Sequence, residues 1–132
     1  MKPDPSSLRG IPLFAELSDD DLAHLANRLE GRDVAEGSRI TPEGASGYSF
    51  FVIESGTAEV SSGGVRVAEL GPGDHFGEMA ILGDGRRVAD VVATSPMRLL
   101  VMFGTAFREM EADMPQVATR IRDTMQERLS SS

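Results

Sequence analysis

The most informative part of the chain is residues 73–89, which read GDHFGEMAILGDGRRVA. Gly77 allows backbone to come close to a ligand, and a short helical turn over residues 78–82 would point free N–H groups at an anion. Arg87 can give two parallel hydrogen bonds to phosphate oxygens. The carboxylate of Glu78 can accept a hydrogen bond from a sugar hydroxyl and can also hold the arginine in place. The stretch therefore predicts a cradle for a phosphate and a sugar.

Short strands separated by glycine turns surround this stretch. The predicted strands are rich in Val, Ile, Phe and Thr, and they cover residues 48–54, 57–61, 65–70, 88–94 and 97–103. Turns containing glycine, such as Gly63-Gly64, separate them. This close spacing of short strands is typical of a roll or a barrel.

Helices are predicted on both sides of the strands. Ser18 occupies an N-cap position before three aspartates, and apolar residues recur at helical spacing from Leu22 onward. We expect Gly31 to end this helix. A short helix over residues 105–113 and a last helix over residues 115–129, opened by a proline, follow the final strand.

The expected fold is mainly β with flanking helices. It is a double-stranded β-helix, a jelly-roll-like β-roll, with an N-terminal helix and C-terminal helices. The 132 residues are enough for one domain and too few for two. The predicted boundaries within this single domain, residues 1–132, are 8–30 for the helical lead-in, 32–103 for the roll, 76–89 for the phosphate cradle and 105–129 for the C-terminal helices.

Composition argues against several functions. The chain has no cysteine, which removes disulfides, thiolate metal sites and cysteine nucleophiles. Its 13 basic and 21 acidic residues give a net charge of −8, which disfavours direct DNA binding. The apolar runs at 50–53 and 99–103 are far shorter than the roughly 20 residues of a membrane-spanning helix. We expect a cytoplasmic protein with no membrane contact.

No catalytic or metal-binding residue is predicted. The serines lack a nucleophile-elbow sequence and a paired general base. His24 and His75 lack the convergent donors that a metal site needs, so we expect structural roles for both. The chain is therefore predicted not to be an enzyme.

The residues 76–89 resemble the phosphate-binding cassette of the cyclic nucleotide-binding domains of bacterial catabolite activator proteins and of the regulatory subunit of cAMP-dependent protein kinase. That cassette reads Phe-Gly-Glu, a small apolar run, four variable residues, and an arginine followed by two small residues. Here these parts fall on residues 76–82, 83–86 and 87–89. The resemblance covers nearly the whole chain, since glycine turns and the lead-in around Phe14 also match. It identifies the chain as similar to a Crp/Fnr-like sensor domain.

This resemblance implies specific roles. Glu78 would bind the ribose 2′-hydroxyl, Arg87 the exocyclic phosphate oxygens, and the amides near Ala80 and Val88 the remaining oxygens. Val60 matches an apolar position beside the base, and Val67 and Ala68 would line the same pocket. The complete set of residues expected at the ligand is Phe76, Gly77, Glu78, Met79, Ala80, Arg87, Val88, Ala89, Val60 and Val67. The alternative for Glu78 and Arg87 is a plain surface ion pair, which we consider much weaker.

Two positions depart from the family pattern. Val88 stands where relatives carry Ala, Ser or Thr, and a hydroxyl there is associated with guanine recognition. Val88 therefore favours cAMP over cGMP as the ligand. Arg86 stands where many relatives have proline, and we expect it to face solvent.

The expected function is a cyclic nucleotide sensor, most favourably for cAMP, that acts on an unidentified protein effector through its C-terminal helices. In the family, the helix after the roll repacks when ligand binds. Here the predicted movable contact comprises Phe107, Met110 and Met114. The residues available for a lid or a homodimer seam are Val117, Ile121, Met125 and Leu129. Two alternatives remain open: the sensor part of a Crp/Fnr-type transcription regulator that lacks its DNA-binding domain, and a degenerate roll that serves as an interaction module without nucleotide.

Overall fold

The computed structural model describes residues 2–41, 49–77 and 90–131, with side chains described for residues 2–40, 49–77 and 90–127. Its helices are α1 (Pro5–Leu8), a 3-10 turn (Pro12–Phe14), α2 (Asp19–Ala26), α3 (Gly104–Asp113) and α4 (Pro115–Ser131). Its strands are β1 (Glu30–Val34), β2 (Arg39–Thr41), β3 (Ser49–Ser55), β4 (Ala58–Ser62), β5 (Val65–Leu70), β6 (His75–Phe76), β7 (Asp90–Ala93) and β8 (Met97–Phe103). Within the described ranges, no helix is long and apolar enough to cross a membrane.

The strands form two antiparallel sheets. The first sheet has the order β1-β8-β3-β6, and the second has the order β2-β7-β4-β5. Neighbours in these sheets come from distant parts of the chain, because β1 pairs with β8 and β2 pairs with β7. The chain therefore rolls up as two facing layers, and the expectation of a mainly β roll with flanking helices is confirmed.

The first sheet separates two apolar clusters. Along β3, Phe50 and Val52 point to one side and Phe51 and Ile53 to the other, as the two-residue period of a strand requires. The helical cluster consists of Leu8, Ile11, Leu13, Phe14, Leu17, Leu22, Leu25, Ala26, Leu29, Phe50, Val52, Leu100, Met102, Phe107, Met110, Val117, Ala118, Ile121 and Met125. The roll cluster consists of Phe51, Ile53, Ala58, Phe76, Val91, Ala93, Met97, Leu99 and Val101.

The N-terminal helix begins where the sequence predicts but ends earlier. The hydroxyl of Ser18 accepts a hydrogen bond from the backbone N–H of Asp21 at 3.1 Å, which confirms the N-cap. The prediction that Gly31 ends the helix is wrong, because α2 ends at Ala26 and Gly31 lies within β1, opposite Leu100. Leu29 is buried in the helical cluster without being helical. Pairing with β8 thus overrides the helical spacing of the leucines.

Three short strands were not among those predicted. The strand β1 reads EGRDV and has no fully buried residue, so its sequence lacks the apolar alternation that identifies a strand. The strands β2 and β6 contain three and two residues. Such short strands depend on their partners in the sheet rather than on their own sequence.

The C-terminal helices match the prediction. The helix α3 covers Gly104–Asp113, and α4 begins at Pro115. Between them Met114 leaves the helical conformation, with φ −139° and ψ 63°. The guanidinium of Arg28 contacts this joint, because its Nη2 donates to Asp113 Oδ2 at 2.8 Å and its Nη1 lies 3.8 Å from Met114 Sδ. The loop after α2 therefore holds the joint between the last two helices.

Candidate functional site

The strand β6 carries the first residue of the predicted cassette, residues 76–89. It pairs antiparallel with β3, so that Phe76 lies opposite Phe51 and His75 opposite Val52. The ring of Phe76 stacks on that of Phe51, with centroids 4.9 Å apart and planes 15° apart. Phe76 is buried in the roll cluster. The start of the cassette is therefore fixed to the inside of the first sheet.

The turn before β6 is also tied to β3. The N–H of Gly73 donates to the carbonyl of Ile53 at 2.8 Å, and the N–H of Ile53 donates to the carbonyl of Asp74 at 2.9 Å. Within the turn, the carboxylate of Asp74 accepts from the N–H of Gly71 at 2.8 Å. These bonds continue the pairing between β3 and β6 into the turn that precedes β6. They fix the position and direction of the backbone where the cassette begins.

Gly77 follows β6 with φ +80°, in the left-handed region that favours glycine. A side chain there would strain the backbone, so the sequence Phe-Gly-Glu has a local structural reason as well as the predicted functional one. The remaining predicted site residues lie outside the described residues; they are Glu78, Met79, Ala80, Arg87, Val88 and Ala89. Their roles stay predictions.

The chain leaves the cassette into β7, in the interior of the second sheet. There Asp90 pairs with Ser61, and Val91 pairs with Val60. Val60 is half-buried and packs against the roll cluster. The cassette is thus bounded by an edge strand of the first sheet and an inner strand of the second, and Val60 lies beside its C-terminal end.

The predicted apolar wall lies on the hairpin of β4 and β5. Val60 pairs with Ala68, so these two residues of the predicted pocket are cross-strand neighbours. Val67 lies next to Ala68 but falls in a shift of register, because the following β4 residue, Ser61, pairs with Arg66. The side chain of Val67 is 60% exposed. The structure therefore brings Val60 and Ala68 together and leaves Val67 accessible beside them.

Two supporting features were not predicted from the sequence. Phe51 is the residue on which Phe76 stacks, and only the register between β3 and β6 reveals it.

Gly56 forms the turn between β3 and β4 with φ +92°. A Cβ there would lie 2.8 Å from the Cα of Met97 and would also meet the carbonyl of Pro96. The glycine pattern marked this turn but did not show that it packs against the β7–β8 turn.

His75 packs within the chain, whereas His24 is exposed in the last turn of α2. The ring of His75 lies 5.5 Å from that of Phe50, on the side of the sheet that faces the helical cluster. Among the described residues, no three His, Cys, Asp or Glu side chains are grouped so that they could hold a metal ion.

The apolar face of the C-terminal helices is buried within the chain. Phe107 and Met110 of α3 lie in the helical cluster, as do Val117, Ile121 and Met125 of α4. Use of α4 as a lid or a dimer seam would therefore require it to leave this position.

Comparison with known proteins gives a consistent result. The family described as "Cyclic nucleotide-binding domain" matches residues 32–113. The cAMP-dependent protein kinase regulatory subunit of Eremothecium gossypii is 37% identical over 111 residues, which cover 83% of this chain and 24% of that protein. Glutaminase 2 of Bradyrhizobium diazoefficiens is 38% identical over 110 residues, covering 83% of this chain and 18% of that protein. This chain spans a quarter or less of the length of these two relatives.

A solved structure has the same architecture. The Thermus thermophilus catabolite activator protein matches with a TM-score of 0.79 and 28% identity, over 91% of this chain and 59% of that one. Because the match spans 91% of this chain, the likeness is to its overall fold rather than to one part of it.

Proposed function

This chain belongs to the cyclic nucleotide-binding domain family, and from that premise we propose that residues 76–89 bind cAMP. In this proposal Arg87 holds the cyclic phosphate by paired hydrogen bonds, and Glu78 accepts one from the ribose 2′-hydroxyl. Gly77 lets the backbone approach the ligand. Met79, Ala80, Val88 and Ala89 complete the backbone cradle around the phosphate.

The observation that carries the proposal is the fixed start of the cassette. Phe76 is stacked on Phe51 inside the roll, and Gly77 has a positive φ directly after it. Both features come immediately before Glu78 in the sequence. A carboxylate and an arginine that recognise one ligand need a rigid frame, because a displacement of about 1 Å weakens directional hydrogen bonds. The pairing of β6 with β3 supplies that frame.

The base would lie against the β4–β5 hairpin. Val60 and Ala68 form an apolar cross-strand pair, and Val67, the next residue to Ala68 along β5, is 60% exposed. Burying apolar surface against a purine contributes roughly 25 cal/mol per Å². We propose cAMP rather than cGMP because Val88 offers no hydroxyl to a guanine.

The proposed output is regulation of a protein effector, with no catalytic activity in this domain and with a cytoplasmic location. The relatives support a transferable regulatory unit, since the same domain forms a small part of a kinase regulatory subunit and of a glutaminase. Ligand can regulate only by stabilising one of two states. The joint at Met114 is the element we propose to move, because α3 and α4 directly follow the roll.

Calorimetric titration of the chain with cAMP, cGMP and 5′-AMP tests this proposal. We expect saturable binding of cAMP, weaker binding of cGMP, and no binding of 5′-AMP, which lacks the cyclic phosphodiester. In Glu78→Ala we expect the affinity for cAMP to fall roughly tenfold or more, because a charge-assisted hydrogen bond contributes about 1.5–3 kcal/mol. Absence of both heat and thermal stabilisation with every nucleotide, in folded protein, would overturn the proposal.

A further inference from the structure

The strand β5 is an exposed apolar edge. Among the described residues, the exposed large hydrophobic side chains are Val65 (64%), Val67 (60%) and Phe103 (47%), and two of these three lie on β5. Among the strands that the structure describes, β5 is also the last in the order of the second sheet, where β4 is its neighbour. An edge strand presents backbone N–H and C=O groups that can pair with another chain.

The apolar face of α4, which the sequence suggested for dimerisation, is already buried. Val117, Ile121 and Met125 of α4 are buried within their own chain. Two of the three exposed large apolar side chains in the described structure therefore lie on β5, and none of them lies on α4. If two copies associate without unpacking the helices, β5 offers these two side chains on one edge strand.

The sequence of β5 is complementary to itself in antiparallel orientation. It reads VRVAEL over Val65–Leu70. Two copies of this strand can align antiparallel about its midpoint. In that register Val65 of one copy faces Leu70 of the other, and Arg66 faces Glu69. The central residues, Val67 and Ala68, also face each other across the two copies. This is the one antiparallel register that places Arg66 opposite Glu69. Opposite charges in facing positions stabilise a strand pair, whereas like charges destabilise it.

We propose that two copies of this chain associate through β5, in antiparallel pairing about a twofold axis, to join their second sheets. Arg66 and Glu69 already form an ion pair within one chain, with Nη2 and Oε2 2.7 Å apart. In the dimer, Arg66 of one copy would pair with Glu69 of the other copy instead of with Glu69 of its own chain. Charges and register shifts on an edge strand usually prevent pairing. Here the facing charges match the second copy. The shift in β5 keeps Arg66 and Glu69 on one face of the sheet, because their β4 partners, Ser61 and Glu59, are two residues apart.

The association is expected to be weak. A pair of six-residue strands buries less than the roughly 1,200 Å² of a standard stable interface. The dimer should therefore depend on protein concentration, with the equilibrium visible in the micromolar to millimolar range. Such an interface would place the two β4–β5 hairpins, and the proposed base walls that they carry, next to each other.

Sedimentation equilibrium without nucleotide tests this inference. We expect the average mass to rise with concentration from 14.1 kDa toward twice that value. Arg66→Glu and Glu69→Arg should each remove the rise, and the double variant Arg66→Glu/Glu69→Arg should restore it. Arg32→Glu, on the exposed β1 edge of the first sheet, is the matched control and should dimerise like the original chain. Because no nucleotide is present, the result is independent of the proposed nucleotide site.

A second variant covers the case in which charge reversal disturbs folding. Val65→Thr keeps strand preference and removes apolar surface at the dimer interface, so it should weaken the dimer with an unchanged circular dichroism spectrum. A constant monomer mass at all concentrations would overturn the inference. So would a dimer that persists in both single charge reversals, or a double variant that stays monomeric while folded.

Discussion

The roll cluster is built from strands alone, whereas the helical cluster combines helices from both ends of the chain with the outer face of the first sheet. The two clusters share β3 and β8, whose successive residues alternate between them. The proposed site is attached to the roll cluster through Phe76, and the proposed moving helices belong to the helical cluster. We therefore expect that substitutions which lower the free energy of unfolding by similar amounts in the two clusters will have different effects on ligand binding.

The largest effect is expected from removing an aromatic side chain from either cluster. Phe51→Ala in the roll cluster and Phe14→Ala in the helical cluster should each lower the free energy of unfolding by about 3–5 kcal/mol. Phe51→Ala should also weaken cAMP binding, because it removes the ring on which Phe76 stacks. Urea denaturation and titration at a temperature where both variants are folded measure the two quantities. Equal binding in the two variants would show that the roll cluster does not position the cassette.

An intermediate effect is expected at the glycine turns of the roll. Gly56→Ala should cost about 2–4 kcal/mol, since it combines a positive φ with a Cβ that meets the β7–β8 turn. Gly64→Ala is the matched control, because Gly64 also has positive φ but open space around a Cβ, and it should cost about 1–2 kcal/mol. Thermal or urea unfolding of both proteins gives the comparison. Similar losses would mean that the contact between the two turns contributes little.

The smallest effect is expected at the joint of the last two helices. The side chain of Arg28 is 19% exposed and its Nε is buried without a hydrogen-bond partner among the described residues, so its bond to Asp113 matters more than a surface ion pair. Asp113→Asn should cost about 1 kcal/mol. Asp33→Asn, which removes the exposed partner of Arg98, should cost at most about 0.5 kcal/mol. Urea denaturation of both variants in one buffer measures the two losses of unfolding free energy. A larger loss for Asp33→Asn than for Asp113→Asn would show that the bond between Arg28 and Asp113 does not stabilise the joint more than a surface ion pair does.

The sequence predicted the elements that carry their own apolar pattern. The strands β3 and β8 have long apolar runs and were located to within a residue at each end. In contrast, β1 was missed because its residues are mostly polar and its pairing with β8 involves the opposite end of the roll. Gly31 was assigned to a helix end because its local sequence does not reveal the pairing with β8. Local spacing alone cannot show which distant strand will pair with a polar segment.

The candidate site was predicted unevenly for a related reason. Phe76 and Gly77 could be identified from the residues that follow them, and the structure gives each a defined place. Phe51 could not, because its stacking on Phe76 depends on the register between two strands. Val67 and Ala68 were both grouped with Val60 from the family resemblance, and only the register of the hairpin shows that Ala68 is the direct neighbour of Val60.

The most direct test of the nucleotide site compares two adjacent arginines. Calorimetric titration with cAMP should show binding by the original chain, and the affinity of Arg87→Ala should fall roughly tenfold or more, because a charged pair of hydrogen bonds to phosphate is lost. Arg86→Ala removes the same charge from the neighbouring position and should bind within roughly threefold of the original. If Arg87→Ala is folded and binds cAMP as tightly as Arg86→Ala does, the cassette is not the site.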